Sequence, residues 1–458
     1  MIKGRWHTVG GVWRFRRRAF WSFVFLGALC VLCGETVFAY EIRAERMETV
    51  QEGGAVRRTY TGRVEALLDS VSVRSAQAVY SSATEEVVFS GGVEAVDGAR
   101  RAVGDTLVYA LKARRAIVSG GVLVTEGGRE LRAARVVLLR GEDRVEAAGG
   151  VEAWYPERGT RLRADTLEVA SGGDSGIARG GARLVRTDTD TFAMAAKAIR
   201  FARGGERAEG EEDVEMTVGG FVARCSRAVC DSDSVAMAGA PVLNRFRERS
   251  DGAEHSEVRA AQVGLSVAQG SVRRLTATGD ARVVQRRFDT VGAPSGWSRL
   301  EGDTLVVEVE RGEMRHATSE GGAKSVSRDA DSSEVEMTAG RITVLSEEGR
   351  VRRVRGEGQG RASHRSADGS ERSALAGDAI EIEMEGDRMG GVLLQGHAVC
   401  EYLPDERTAP KRGGKSRLSG DRIGLALQGG EVKRATGEGG VVGAYWMTEE
   451  ERGKENAK

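Results

Sequence analysis

Proline is almost missing from this chain, with 5 in 458 residues, and cysteine is as scarce, also 5. Aromatic residues make up 5% and the formal net charge is zero, 68 basic against 68 acidic side chains. Each shortage excludes something. Too little proline, with glycines that keep no three-residue period, rules out a collagen helix. Five cysteines cannot staple a disulfide scaffold of this length. A balanced charge lacks the surplus of Lys and Arg that neutralising phosphates requires, so no nucleic-acid partner is expected. After residue 40 no apolar run approaches the length of a membrane-spanning helix. No stretch there keeps an apolar 3.6-residue period with helix caps. What is abundant is glycine, 63 residues or about twice its ordinary share.

The first forty residues read as an address. Lys3, Arg5, Arg14, Arg16, Arg17 and Arg18 precede the apolar run Ala19 to Leu32 and the small-residue site Val37-Phe38-Ala39. This is the layout of an export signal over residues 1–39, cut after Ala39. The alternative is that it stays attached as an inner-membrane anchor. Either way the following body is expected in the periplasm. Of the three later cysteines, Cys225 and Cys230 are close enough in sequence to pair in an oxidising compartment, leaving Cys400 buried and free; three unpaired, buried thiols are the alternative.

A period of about thirty residues runs through that body. One motif sets a small residue before a polar one and an apolar alternation: Gly104-Asp105-Thr106-Leu107-Val108-Tyr109, Ala134-Arg135-Val136-Val137-Leu138, Ala164-Asp165-Thr166-Leu167-Glu168-Val169 and Ala196-Lys197-Ala198-Ile199-Arg200-Phe201. It returns at Gly302-Asp303, Gly377-Asp378 and Gly420-Asp421. Interleaved with it is a glycine pair followed by a second alternation, as in Gly91-Gly92-Val93, Gly120-Gly121-Val122-Leu123-Val124, Gly149-Gly150-Val151 and Gly180-Gly181-Ala182. Alternation with period two means strands with one buried and one wet face. The glycine pairs suit turns, bulges or corners between strands. A unit of two or three such strands cannot bury its apolar face alone. Stacked units can, so the fold class is all-β: an elongated pile of short strands with nearest-neighbour contacts. Polar stretches near Arg245–Glu257, Arg286–Arg299, Glu320–Glu334, Ser363–Ser373 and Pro404–Arg417 read as loops. The first two mark a joint.

These interleaved motifs resemble the OstA-like repeats of lipopolysaccharide-transport proteins, the group containing LptA, LptC and the N-terminal part of LptD. The resemblance rests on the A/G-D-T-L-x-V strands around Asp105, Asp165 and Asp303, on the G-G-V-x-A/V strands around Val93, Val122 and Val151, and on the exported start. It is close over residues 41–235 and looser over 260–445. It implies a twisted, partly open β-jellyroll whose apolar interior shields the acyl chains of a glycolipid such as lipopolysaccharide on its way to the outer membrane. It also implies LptC-like and LptD-like partners that stack through open edge strands. The chain has length for two jellyrolls, expected at 40–244 and 258–446, with a charged, disordered tail at 447–458. The inward residues expected to line the lipid groove are Leu107, Tyr109, Val122, Val124, Val136, Leu138, Leu167, Val169, Ile199 and Phe201; packing against one another as an ordinary core is the competing role for each. The competing function is an exported structural or adhesive β-solenoid with a filled core.

No chemistry stands out. Gly173-Asp174-Ser175-Gly176 has no histidine motif beside it, and Gly413-Gly414-Lys415-Ser416 is only the end of a phosphate-loop pattern. The five histidines are scattered. The recurring Asp105, Asp165, Asp303, Asp378 and Asp421 are expected at strand starts, satisfying turn backbone groups. Neither an enzyme activity, a metal nor a cofactor is expected.

Overall fold

The computed structural model describes residues 12–13 and 40–446, apart from 141, 171, 188–191, 330–331, 348, 368–370, 387, 405–413 and 429–430. The segment expected as a signal, except for Val12 and Trp13, and the expected tail at 447–458 lie outside the described residues. The described chain is all-β. Its strands run from 2 to 18 residues, and the only helical pieces are two 3-10 turns, Pro156–Arg158 and Arg203–Gly205. Every described strand pairing is antiparallel, mostly between neighbours in sequence. The chain divides into two compact units, Met1–Asp188 with Ala195–Ala208 and Thr189–Met194 with Glu209–Lys458.

The thirty-residue period is one hairpin, and the glycine pair lies inside a strand rather than between strands. The strand Arg100–Ala110 contains Gly104-Asp105, and its neighbour Arg115–Glu126 contains Gly120-Gly121. Along the preceding pair, Ser90 faces Thr106 and Val93 faces Gly104, so Gly91 and Gly92 together oppose Asp105 alone. Two residues against one is a β-bulge, which bends the strand. The same bulge recurs from strand to strand through the first unit, so each of these strands has two arms. Asp105 is thus not at a strand start. Its carboxyl packs against the hydrogen side of Gly120, whose φ is +84°, where an added Cβ would collide with it. The same contact recurs between Asp165 and Gly180, Asp303 and Gly321, Asp378 and Gly396, and Asp421 and Gly439.

In the first unit the arms are short. The register places one inward side chain from each strand in a continuous row: Tyr60, Ala78, Phe89, Leu107, Val118, Val136, Ala147, Leu167 and Ala178. All are buried. The other arm carries a matching row from Ala66 and Val73 through Ala102 and Val124 to Leu162 and Leu184. Outward faces alternate Arg and Glu, as in Arg74–Glu65 at 3.4 Å and Arg163–Glu152 at 3.0 Å.

In the second unit the strands lengthen to 14–18 residues over most of the ladder, as in Ser271–Phe288 and Pro294–Glu310. Three of the stretches read from sequence as loops are largely the far ends of these arms; of Ser363–Ser373 the two ends pair with each other, and most of Pro404–Arg417 lies outside the described residues. Arg245–Glu257 is most of a hairpin in which Val242–Arg249 pairs with Gly252–Arg259, inside the second unit and not at a joint. Arg286–Arg299 is paired strand apart from a short turn, and Glu320–Arg328 is paired throughout except at its bulge. The expected boundary near 245–257 therefore differs from the observed division, which falls on the strands Phe192–Ala202 and Arg207–Val218. Polarity misled the sequence reading here, because arm ends are wet on one face and, in this unit, polar on part of the other.

Candidate functional site

Placement of the ten expected groove residues follows from the two rows. Leu107, Val136 and Leu167 lie in one row, and Tyr109, Leu138 and Val169 in the next. Val122 and Val124 belong to the opposite arm. Ile199 and Phe201 lie on Phe192–Ala202, with Phe201 edge-on to Tyr155 at 5.9 Å. Nine of the ten are buried, and Leu138 is partly exposed. Val124, Leu167 and Val169 border a cavity between the arms of about 60 Å³.

The mouth between the arms of this unit is laced by ion pairs that join arm ends far apart in sequence. Arg114 meets Asp69 at 3.2 Å, Arg140 meets Asp97 at 3.1 Å, and Arg129 meets Asp174 at 2.9 Å. Arg140 also donates to Ser70 Oγ at 2.7 Å, and Arg129 to the Gly172 carbonyl at 2.7 Å. The Tyr109 hydroxyl is 3.3 Å from Asp69, and burial raises its pKa above that of a free phenol. Asp174, from Gly173-Asp174-Ser175-Gly176, is thus a partner of Arg129 in this seam.

The second unit is different. Between its arms lies a trough of about 110 Å³, next to a second cavity of about 70 Å³ with which it shares the walls Val283, Gln285, Val307, Met314 and Gly349. One wall is apolar: Val307, Ala317, Val344 and Val354 occupy one cross-strand row, with Met314, Val351 and Met384 beyond them. The facing wall is not. Its inward row reads Arg245, Ser256, Gln285, Ser298 and Ser327. A dry core penalises such groups unless each is hydrogen-bonded. An amphipathic channel accommodates them. Sequence reasoning missed these residues because they sit on arm ends whose polarity looked like loop. A usable signal was present: the spacing of the bend glycines widens from 29–31 residues at Gly91, Gly120, Gly149 and Gly180 to 37–43 at Gly279, Gly321, Gly358, Gly396 and Gly439.

No disulfide forms among Cys225, Cys230 and Cys400, in keeping with the unpaired alternative. Cys225 and Cys230 lie on opposite sides of a strand bend, and the Cys225 thiol donates to the Arg227 carbonyl at 3.2 Å. Cys400 is partly exposed rather than buried. Among the described residues no group of three or more His, Cys, Asp or Glu side chains could hold a metal ion. No described helix is long and apolar enough to cross a membrane. The fold and site define an all-β protein of bent antiparallel hairpins, of jellyroll type, with an amphipathic trough. No protein-family model and no curated protein matches the chain.

Proposed function

We propose that this chain is a lipid-binding bridge or scaffold of the OstA-like kind, carrying lipopolysaccharide or a similar glycolipid across the periplasm toward the outer membrane. The observation that carries the reading is the trough of the second unit, with an apolar wall of Val307, Val344, Val354 and Met384 facing a polar one. Acyl chains gain about 0.8 kcal/mol per methylene removed from water against such a wall, and no bond need be made or broken. Strand edges favour partners. Glu431–Glu438 and Val442–Trp446 each pair with Lys415–Gln428, and their Val432, Val442, Tyr445 and Trp446 side chains are exposed. Such an edge invites strand addition by LptC-like or LptD-like neighbours.

The laced mouth and packed rows of the first unit favour a different role for that unit, a filled structural core as in the solenoid alternative. Photo-crosslinking in cells separates the two. A crosslinker at Val344 or Met384 is expected to capture lipid, and one at Leu107 or Val136 is not. Absence of lipid at all four positions overturns the carrier reading in favour of the filled solenoid.

A further inference from the structure

We infer that the trough of the second unit takes an amphiphile with a single acidic head group, a carboxylate or a phosphate, seated on Arg245 with its chain along the valine wall; this rests on the carrier reading above. Strand alternation puts Arg245, Arg247 and Arg249 on one face of Val242–Arg249, and all three line the cavity next to the trough. The carboxylates lining that cavity are Glu254 and Glu313. Arg249 takes Glu254 at 2.8 Å and Arg247 takes Glu313 at 3.0 Å. Among the described residues no carboxylate forms an ion pair with Arg245, which donates to the Gly312 carbonyl at 2.7 Å and lies 5.3 Å over the Phe221 ring. Burial, then repulsion from Arg247 and Arg249, lowers its pKa against the partial attraction of Glu254 and Glu313.

An incoming acid would supply such an ion pair. A guanidinium presents a planar fork that matches carboxylate and phosphate oxygens. From Arg245 the polar wall continues through Ser256 and Gln285, room for a linker, before Met314 and Val344 take over. The two cavities are small, which suits the end of one acyl chain at a time. A cationic head would meet three guanidiniums with two carboxylates already engaged, and is excluded by charge.

The test is titration calorimetry of the full chain with dodecanoate, dodecyl phosphate, dodecanol and dodecyltrimethylammonium, each below its micelle concentration. Both acids are expected to bind at least about tenfold tighter than dodecanol, the scale of one charged hydrogen bond, and the cation is expected not to bind. Arg245→Gln should remove that tenfold advantage without moving dodecanol, and Arg245→Lys should keep most of it. The ranking of the two acids tells a phosphate source from a carboxylate one. If the acids and dodecanol bind alike, or if Arg245→Gln weakens every probe equally, the head group is not seated there and the inference fails while the carrier reading stands. If none of the four binds, the carrier reading fails with it.

Discussion

The bend in each strand makes an asymmetric demand on its two glycines, and Gly149-Gly150 offers the cleanest measurement. Gly149 has φ +83°, and a Cβ there would stand 2.7 Å from Ala134 Cβ on the paired strand. Ala134 has no side-chain torsion that can move this carbon aside. Gly150 has φ +63° with nothing within 4 Å of an added Cβ. Left-handed backbone costs an L-residue roughly 1–2 kcal/mol, and overpacking by one carbon costs about 1–3 kcal/mol. Gly150→Ala bears only the first cost, about 1 kcal/mol, and Gly149→Ala bears both, about 3–4 kcal/mol. Ala134→Gly in the Gly149→Ala background should recover the steric part, about 1–3 kcal/mol. The chain already contains that arrangement, since Gly340 lies opposite Gly358. It also varies the second position freely, with Arg63, Gln359 and His397 at φ +41° to +59°, while glycine holds the first at Gly62, Gly358 and Gly396. Urea-dependent hydrogen exchange of the strand Arg144–Tyr155, resolved by mass spectrometry, reads all three variants. Equal losses for Gly149→Ala and Gly150→Ala, or no recovery with Ala134→Gly, would refute the account of the bend.

Two further outcomes follow from burial. Leu107 is fully buried between Phe89 and Val118 in its cross-strand row, so Leu107→Ala should destabilise the first unit by about 2–5 kcal/mol in chemical denaturation, while leaving lipid recovery with the purified protein unchanged; a variant of native stability that loses lipid would place the ligand in the first unit instead. Burial pushes the Cys225 and Cys400 thiols up to about 11, from an ordinary 9.0. Both are therefore neutral and slow toward iodoacetamide at pH 8, and fast once the chain is unfolded. Because the folded values are raised, the stability linked to these thiols is intact below pH 9 and falls as pH rises from about 9 to about 11. Labelling at equal rates in native and unfolded protein at pH 8 would contradict this placement.

Much of the fold was legible before any coordinates. Alternation in segments such as Ala379-Ile380-Glu381-Ile382 specified strands, because only a pleated backbone sorts those side chains onto two faces. The recurring Gly-Asp and Gly-Gly motifs marked a repeating unit. Position along a strand was not legible. A glycine pair suits a turn as well as a bulge, since both require positive φ, and only the pairing of Ser90 with Thr106 and Val93 with Gly104 shows that the chain bends mid-strand. The Arg207–Val218 strand departs from the pattern, with Glu212 and Asp213 at φ +59° and +52° where a glycine pair is expected.

The site was less legible still. Leu107 and Val344 carry the same signal, an apolar residue on an alternating strand, yet one is packed in a closed row and the other borders a trough. The local pattern by itself determined which face of each strand turns inward, because alternation is a property of neighbouring residues along the backbone. Which inward faces meet tightly and which stand apart was decided only by the tertiary structure, since that depends on arm length, cross-strand register and the ion pairs at the mouth, all of which join residues tens of positions apart.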